Sequence, residues 1–517
     1  MHPIPVLTPQ QSNAWDAQAE AGGIARATLM AEAGRAVVAV VAARFPLALS
    51  RGVLVAVGPG NNGGDGWVVA RVLHRAGIPV WVAAVAGDRS DLCAAAARQA
   101  QREGVREVPP DGPWPSIGIA IDALLGTGAR GAPRAPIATL VERMTDLSVP
   151  IVAVDGPTGV DLATGVVHGL GGAQVTVTFG GIRRGHLLAR DEVGDVVIAD
   201  VGHPPPAAEW PWLMRDADAA AHVTAFSASA HKGTRGRLVV VGGAPGMAGA
   251  VRMTARAAFA GGAGLVHVVA PEATLDVLHV AEPDVQTLAQ DFDSPARSET
   301  LELIGRADVL VLGPGFGRAE NRTELALRLI SSASAVVLDA DGLVAFHRRI
   351  DDLRAALAGR TAVLTPHPGE FRTLFPALAA GAEADPWGAA SEAADLLGAT
   401  ILLKGVPSVV ASPGRATVTI GAGNPGLATG GSGDLLSGLI GVLLAHSVDA
   451  QTAAAVGAHA LGRAADIAAR RHTVRAMRPV DVVAALPDLW REWQLLRRTP
   501  PLLRPPVLLE LPAPPRG

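Results

Sequence analysis

Short, nearly unbroken apolar runs recur along the chain, each closed by glycine-rich or polar punctuation and followed by a longer stretch with apolar residues at helical spacing. In the first half the runs are Gly52 to Val57, Val80 to Val85, Ile117 to Ile121, Ile151 to Val154 and Val175 to Phe179; in the second they are Leu238 to Val241, Val309 to Leu312, Val336 to Leu338, Ala362 to Leu364 and Ile401 to Leu403. Runs apolar at every position fit strands buried on both faces, as in parallel sheets. Their alternation with helical patterns predicts an α/β protein of two doubly wound domains. A helical pattern starts at Thr8 and continues through Leu29 and Val41, and another runs from Trp67 to Arg75. His203 to Trp212, rich in Pro and Ala, breaks the periodicity and marks a linker. The expected division is 1–215, 222–495 and a Pro-rich tail, 496–517, poorly ordered from Pro500 onward.

The punctuation carries the chemistry. Asn424-Pro-Gly-Leu-Ala-Thr-Gly-Gly-Ser-Gly-Asp434 leads into the apolar helix-forming run from Leu435 to Leu444. Gly430, Gly431 and Gly433 let the backbone approach an anion, toward which the free N–H groups of a helix's first turn point. Asp434 stands at the mouth of that turn, where the helix dipole is expected to keep it ionised and able to take a proton from a substrate hydroxyl. A second glycine-rich loop, Gly58-Pro-Gly-Asn-Asn-Gly-Gly-Asp-Gly66, joins a strand to a helix in the arrangement of a phosphate-binding turn. Asn62, Asp122, Asp155 and Thr158 fall just past strand ends, where a doubly wound sheet forms its ligand crevice, and their oxygens could hold a cation. In the second half the strand ends are Gly313 to Gly317, Asp339 to Gly342, Thr365 to Glu370, and Lys404-Gly405. As a set they favour a nucleotide site. Lys232 and Arg235 precede the first strand of that half, where exposed basic side chains are ordinarily solvated.

Composition narrows the function classes. A formal charge of −4 offers no electrostatic footprint for nucleic acid or an anionic membrane, which leaves small-molecule chemistry. The only cysteine, Cys93, excludes an intrachain disulfide. Met1 to Pro9 has neither the basic nor the apolar part of a leader, and no apolar run reaches the roughly 18 residues that span a bilayer, so a cytoplasmic protein is expected.

From about Thr8 to Arg470 the chain resembles the bifunctional NAD(P)H-hydrate repair enzymes, with an N-terminal NAD(P)HX epimerase domain and a C-terminal ADP- or ATP-dependent NAD(P)HX dehydratase domain. In the first half the resemblance rests on Leu29 to Gly34, the loop 58–66, Ile121-Asp122-Ala-Leu-Leu-Gly-Thr-Gly, and Asp155-Gly-Pro-Thr-Gly159. It implies a Rossmann-like fold in which Asn61, Asn62, Gly63, Gly64 and Asp65, with Gly126, Thr127, Gly128, Ala129, Arg130, Gly131 and Ala132, hold the hydrated nucleotide. It further implies that Asn62, Asp122 and Thr158 bind K⁺ and that Asp155 lies against the reacting ring. The family pattern is Asp-Ile-Pro-Ser-Gly; Thr158 keeps a hydroxyl and carbonyl for the cation, whereas Gly156 is expected to loosen the loop.

In the second half the resemblance rests on His231-Lys-Gly233, the strand ends named above and 424–434, and implies a ribokinase-like fold. It places Ala250, Gly315, Gly317, His367 and Asp434 against the hydrate, and Lys404, Gly405, Val406, Pro407, Ser408 and Gly433 against the adenine nucleotide. Val406-Pro407-Ser408 departs from the family's usual ending. The implied partners are NADHX, NADPHX, and ADP or ATP with Mg²⁺, ADP being favoured, in a homo-oligomer. Both C6 epimers would be recovered: S by phosphorylation and elimination, giving AMP and phosphate, and R after epimerisation. A ribokinase-like small-molecule kinase fused to a non-catalytic nucleotide-binding domain shares the phosphate turn and Asp434, and differs in releasing a phosphorylated alcohol.

Overall fold

A computed structural model describes residues 2–169, 172–223, 225–498 and 506–515. The chain divides into two compact units, Met1–Trp210 with Leu502–Ala513, and Pro211–Pro501 with Pro514–Gly517.

In the N-terminal unit the buried runs are the sheet. Val53–Val57, Ile119–Ala123 and Val175–Phe179 are buried at every position, so each strand is covered on both faces. Val53–Val57 pairs in parallel with Val80–Ala84 on one side and Ile119–Ala123 on the other. The chain runs outward to Arg106–Val108, crosses back to Ile119–Ala123, and continues through Ile151–Val154, Val175–Phe179 and Asp195–Ala199. That reversal opens a crevice at the carboxyl ends of Val53–Val57 and Ile119–Ala123. Gly58 sits in it so tightly that a Cβ there would stand 2.0 Å from the carbonyl oxygen of Leu124.

Two expectations are corrected here. The helix expected at Trp67 begins at Asn61, so the asparagines and glycines of the loop are its first turn rather than its lead-in. Glycine is unfavourable in a helix by roughly 1 kcal/mol, but close approach requires it here: a Cβ on Gly63 would meet the Gly58 oxygen at 1.8 Å, and one on Gly64 the Met30 methyl at 2.5 Å. The tail is also more than a disordered end. Val507–Leu511 forms a strand antiparallel to Asp195–Ala199 at the sheet edge, while 499–505 and 516–517 lie outside the described residues.

The C-terminal unit repeats the logic. Arg237–Val241 pairs in parallel with Leu265–Ala270 and Val309–Leu312. The chain runs outward to Gln286–Ala289, then crosses to Val309–Leu312, Ala335–Leu338, Thr361–Leu364 and Thr400–Leu403, all parallel. Ser408–Ala411 and Val418–Ile420 follow antiparallel, and Trp212–Leu213 lies beside the last. At the crossover a Cβ on Gly242 would stand 2.0 Å from the Pro314 oxygen, the counterpart of Gly58 and Leu124. Helix Ser432–Ala445 is buried at every position from Leu435 to Leu444, as befits a helix apolar all round. Its Gly438 packs on the carbonyl of Thr254, within helix Ala248–Ala260. No helix among the described residues is long and apolar enough to cross a membrane.

Candidate active sites

The crevice of the N-terminal unit is a cleft of about 590 Å³ whose lining includes Asn61, Asn62, Asp65, Gly126 to Ala129, Asp155, Arg183 and His203. Asp155 is its hub. The residue ends strand Ile151–Val154 with φ of 65°, a left-handed conformation that Asp tolerates better than most residues. Its Oδ2 accepts the Thr127 N–H at 2.7 Å and the Thr127 hydroxyl at 2.5 Å; its Oδ1 accepts the Thr178 hydroxyl at 3.3 Å and lies 3.5 Å from the guanidinium of buried Arg183. Burial alone would raise the Asp155 carboxyl, but the Arg183 guanidinium and the Thr127 donors outweigh it and hold the group below its ordinary value. His186 donates from Nε2 to the Asp155 carbonyl at 2.7 Å while its Nδ1 accepts the Arg183 N–H. Burial lowers its pKa to about 4, so this ring is neutral. Asp65 goes the other way: burial and the carboxylates of Asp155 and Asp16 push it well above its ordinary value.

Below the cleft, buried Asp122 accepts the Thr158 N–H at 2.7 Å, the Thr158 hydroxyl at 2.8 Å and the Leu124 N–H at 3.1 Å. Asn62 is buried, and among the described residues neither its Oδ1 nor its Nδ2 finds a hydrogen-bond partner. An orphaned carbonyl oxygen is costly unless something binds it. Asn61 accepts from the Ser90 hydroxyl at the rim. Gly63 and Gly64 are packing positions, and Arg130, Gly131 and Ala132 continue the loop beyond the cleft lining. At Gly156 a Cβ would lie 2.7 Å from Leu162 Cδ1, so Leu162 fills the space of a larger side chain.

In the C-terminal unit one connected set of contacts brings the strand ends together. Gly315 backs onto Ala250, so that a Cβ added at Gly315 would lie 3.3 Å from the Ala250 Cβ, and the Gly317 N–H donates to Asp341 at 3.0 Å. Asp341 follows Ala340, a non-glycine residue at φ 48° and ψ −124°, a strained conformation of the kind found at functional sites. Asp339, fully buried, accepts from Lys404 Nζ at 2.9 Å, the Thr365 hydroxyl at 2.8 Å and the Ser437 hydroxyl at 2.7 Å. These partners overcome burial and hold Asp339 below its ordinary value. Lys404 also lies 3.7 Å from Glu370, which accepts the His367 N–H at 2.8 Å. His367 caps its helix through Nδ1 and leaves its ring exposed. A Cβ on Gly433 would lie 3.4 Å from Asp339 and 3.6 Å from Lys404, so the phosphate turn rests on that ion pair. Gly405 and Val406 are exposed, and the Gly405 N–H donates to the Ser408 hydroxyl at 3.2 Å.

The expectation that Asp434 is held ionised by the helix dipole is corrected. Burial, then Asp339, raise it to about 7, with Lys404 opposing and Asp341 adding to the rise. Desolvation beside a second carboxylate outweighs a half-charge at the helix end. Sequence reasoning missed Thr178, Arg183, His186 and Ser437. Thr178 lies within the run Val175–Phe179, and Arg183 and His186 follow it, where a lone Arg or His carries no pattern; Ser437 is a small polar residue inside an apolar helix, a weak sign of a buried acceptor nearby. Arg235 serves structure, donating to the Gly262 carbonyl and lying over Phe226.

Two doubly wound units, one with a carboxylate hub in a deep cleft and one with a carboxylate beside a glycine turn and a lysine, define a two-site enzyme for nucleotide-sized ligands. A family model described as NAD(P)H-hydrate dehydratase matches residues 238–488, and one described as YjeF-related protein N-terminus matches residues 26–185. Over 482 residues the chain is 36% identical to the bifunctional NAD(P)H-hydrate repair enzyme of Escherichia coli (strain K12), spanning 90% of this chain and 89% of that protein. Identity to the enzyme of the same description from Salinibacter ruber is 37%, over 94% and 96%. Among solved structures, the ADP/ATP-dependent NAD(P)H-hydrate dehydratase from Bacillus subtilis, co-crystallized with ATP/Mg²⁺, is 25% identical with a TM-score of 0.47, over 54% of this chain and 97% of that one. The chain belongs to the bifunctional NAD(P)H-hydrate repair enzymes, its N-terminal unit an epimerase and its C-terminal unit a dehydratase.

Proposed function

We propose that Asp434 is the base of the dehydratase and Asp155 that of the epimerase, and that ADP is the phosphoryl donor. Asp434 carries the first assignment: a carboxyl with a pKa of about 7 beside an open glycine turn is matched to proton transfer at neutral pH. It takes the proton of the C6 hydroxyl as that oxygen attacks the terminal phosphorus of ADP. The C6–O bond then breaks with loss of the C5 proton, restoring the C5–C6 double bond and releasing AMP and phosphate. The N–H groups of the turn at 431–433 and the Lys404 ammonium face the transferred phosphoryl oxygens. Ala250, Gly315, Gly317 and His367 bound the hydrate, and Gly405 to Ser408 the adenosine. Among the described residues no three His, Cys, Asp or Glu side chains are grouped to hold a metal. Mg²⁺ therefore fits as an ion carried by the nucleotide oxygens, whose charge it neutralises.

In the epimerase Asp155 takes the C6 hydroxyl proton as the C6–N1 bond opens and N1 is protonated; the reverse steps close the ring on either face. Asn61, Asn62, Asp65 and Gly126 to Ala129 hold the nucleotide. The orphaned Asn62 oxygen fits K⁺ together with Asp122 and Thr158, and the ion would offset charge on the bound substrate. The test is recovery of the near-ultraviolet absorbance of reduced nicotinamide from mixed-epimer NADHX with Mg²⁺ and ADP. Wild type is expected to restore it from both epimers, Asp434→Ala from neither, and Asp155→Ala from S alone apart from slow spontaneous epimerisation. A phosphorylated hydrate accumulating in place of free phosphate would overturn the dehydratase chemistry.

A further inference from the structure

The N-terminal unit takes its last strand from the far end of the chain. Val507, Leu509, Glu510 and Leu511 pair with Ala199, Ile198, Val197 and Val196, with one register shift after Val507. Side chains fix this docking at several points. Arg44 joins Asp195 to Glu510, Arg190 donates to the Pro512 carbonyl at 2.5 Å, and the Ala513 N–H donates to Asp195 at 2.7 Å. At the other end the Asp200 N–H donates to the Pro506 carbonyl at 2.5 Å.

What this strand touches leads into the cleft. Asp195–Ala199 runs into Val201 and His203, both of which line it. His203 is packed on Trp15 with ring centroids 4.3 Å apart and bonded to Asp16 at 2.8 Å, so displacing this wall moves Asp16, which lines the same cleft as Asp65. Arg190 follows helix Arg184–Leu188, which holds His186 against the Asp155 carbonyl. The segment thus fastens both the strand behind one cleft wall and the turn behind the catalytic hub. Without it, Asp195–Ala199 would be an open edge with unpaired N–H and C=O groups.

We propose that Pro506–Ala513 is a positioning element of the epimerase: the edge of Asp195–Ala199 is a docking groove for this chain's own C-terminal segment, and the epimerase cleft is complete only when the segment is seated. A chain ending before it keeps dehydratase chemistry and loses epimerisation. Small displacements of a reacting group are costly, which is how an edge strand reaches the rate.

The functional part rests on the epimerase assignment, so one arm of the test reads docking alone. The full chain, a chain ending at Arg498, and Glu510→Arg in the full chain are compared by hydrogen exchange at 195–203, R-to-S epimerisation and dehydration of pure S-NADHX. Truncation is expected to speed exchange at 195–199 by about ten-fold or more and to lower epimerase kcat/KM by about ten-fold or more. Dehydration of S should be unchanged, and a synthetic peptide of sequence 506–515 should restore both exchange protection and epimerisation. Glu510→Arg, which faces Arg44 with like charge, should move both in the same direction by less. Unchanged exchange or unchanged epimerisation in the truncated chain overturns the proposal, as does a loss that the peptide does not reverse. A full chain that shows protection at 195–199 but no epimerisation would instead refute the catalytic assignment.

Discussion

Nζ of Lys404 lies 2.9 Å from Oδ1 of Asp339, and the two charges act on Asp434 in opposite senses, Asp339 raising its pKa and Lys404 lowering it. The acid limb of the dehydratase rate should therefore sit near the Asp434 value of about 7 in wild type. Asp339→Asn removes a raising charge and should move that limb down by about one unit, and Lys404→Met should move it up by a similar amount. Profiles of kcat/KM against pH for S-NADHX decide this whatever the fall in absolute rate. Limbs that coincide in all three proteins would show that another group titrates.

The Asp155 carboxyl stays low because Arg183 and Thr127 outweigh its burial. Arg183→Met removes the largest of these opposing influences. The Asp155 pKa should rise, so the acid limb of epimerisation should move to higher pH and the rate on the acid side of neutral should fall. Raising the pH should recover part of the loss, and Thr127→Val should show a smaller version of it. An Arg183→Met enzyme whose deficit is the same at every pH would point to lost substrate binding instead.

Among the described residues Asn62 leaves a buried carbonyl oxygen and amide without hydrogen-bond partners. A cation bound only by the folded state stabilises it, by about 2.7 kcal/mol at a hundred times its dissociation constant. Replacing choline chloride by KCl at constant ionic strength should raise Tm of wild type. The same exchange should leave Asn62→Ala nearly unmoved, and an equal rise in both would place the ion elsewhere.

Gly58 has no room for a methyl group against the Leu124 carbonyl, 2.0 Å from where a Cβ would stand. Gly58→Ala must push the phosphate turn away from strand Ile119–Ala123, at a cost of about 1–3 kcal/mol. Loss of epimerase activity with a lower Tm is expected, while S-NADHX dehydration persists. Wild-type epimerisation in this variant would show that the crossover can relax without harm to the site.

Two doubly wound units were legible in the chain because strands buried on both faces must be apolar throughout, and Val53–Val57, Val309–Leu312 and their neighbours announce themselves without reference to anything distant. The glycine turns and the acids at strand ends were legible for a related reason: close approach to an anion or a backbone demands glycine, a local requirement written in the local sequence. Side-chain partners drawn from distant parts of the chain were not. Arg183, His186 and Thr178 become Asp155's surroundings only when Val175–Phe179 lies beside Ile151–Val154, and Ser437 meets Asp339 across 98 residues. The protonation of Asp434 likewise depends on burial and on Asp339, so the helix dipole, the only influence visible locally, gave the wrong sign. The tail read as disordered because Pro-rich composition cannot build a core by itself. Val507–Leu511 needs none of its own, since the sheet edge at Asp195–Ala199 supplies the hydrogen bonds that its sequence could not foretell.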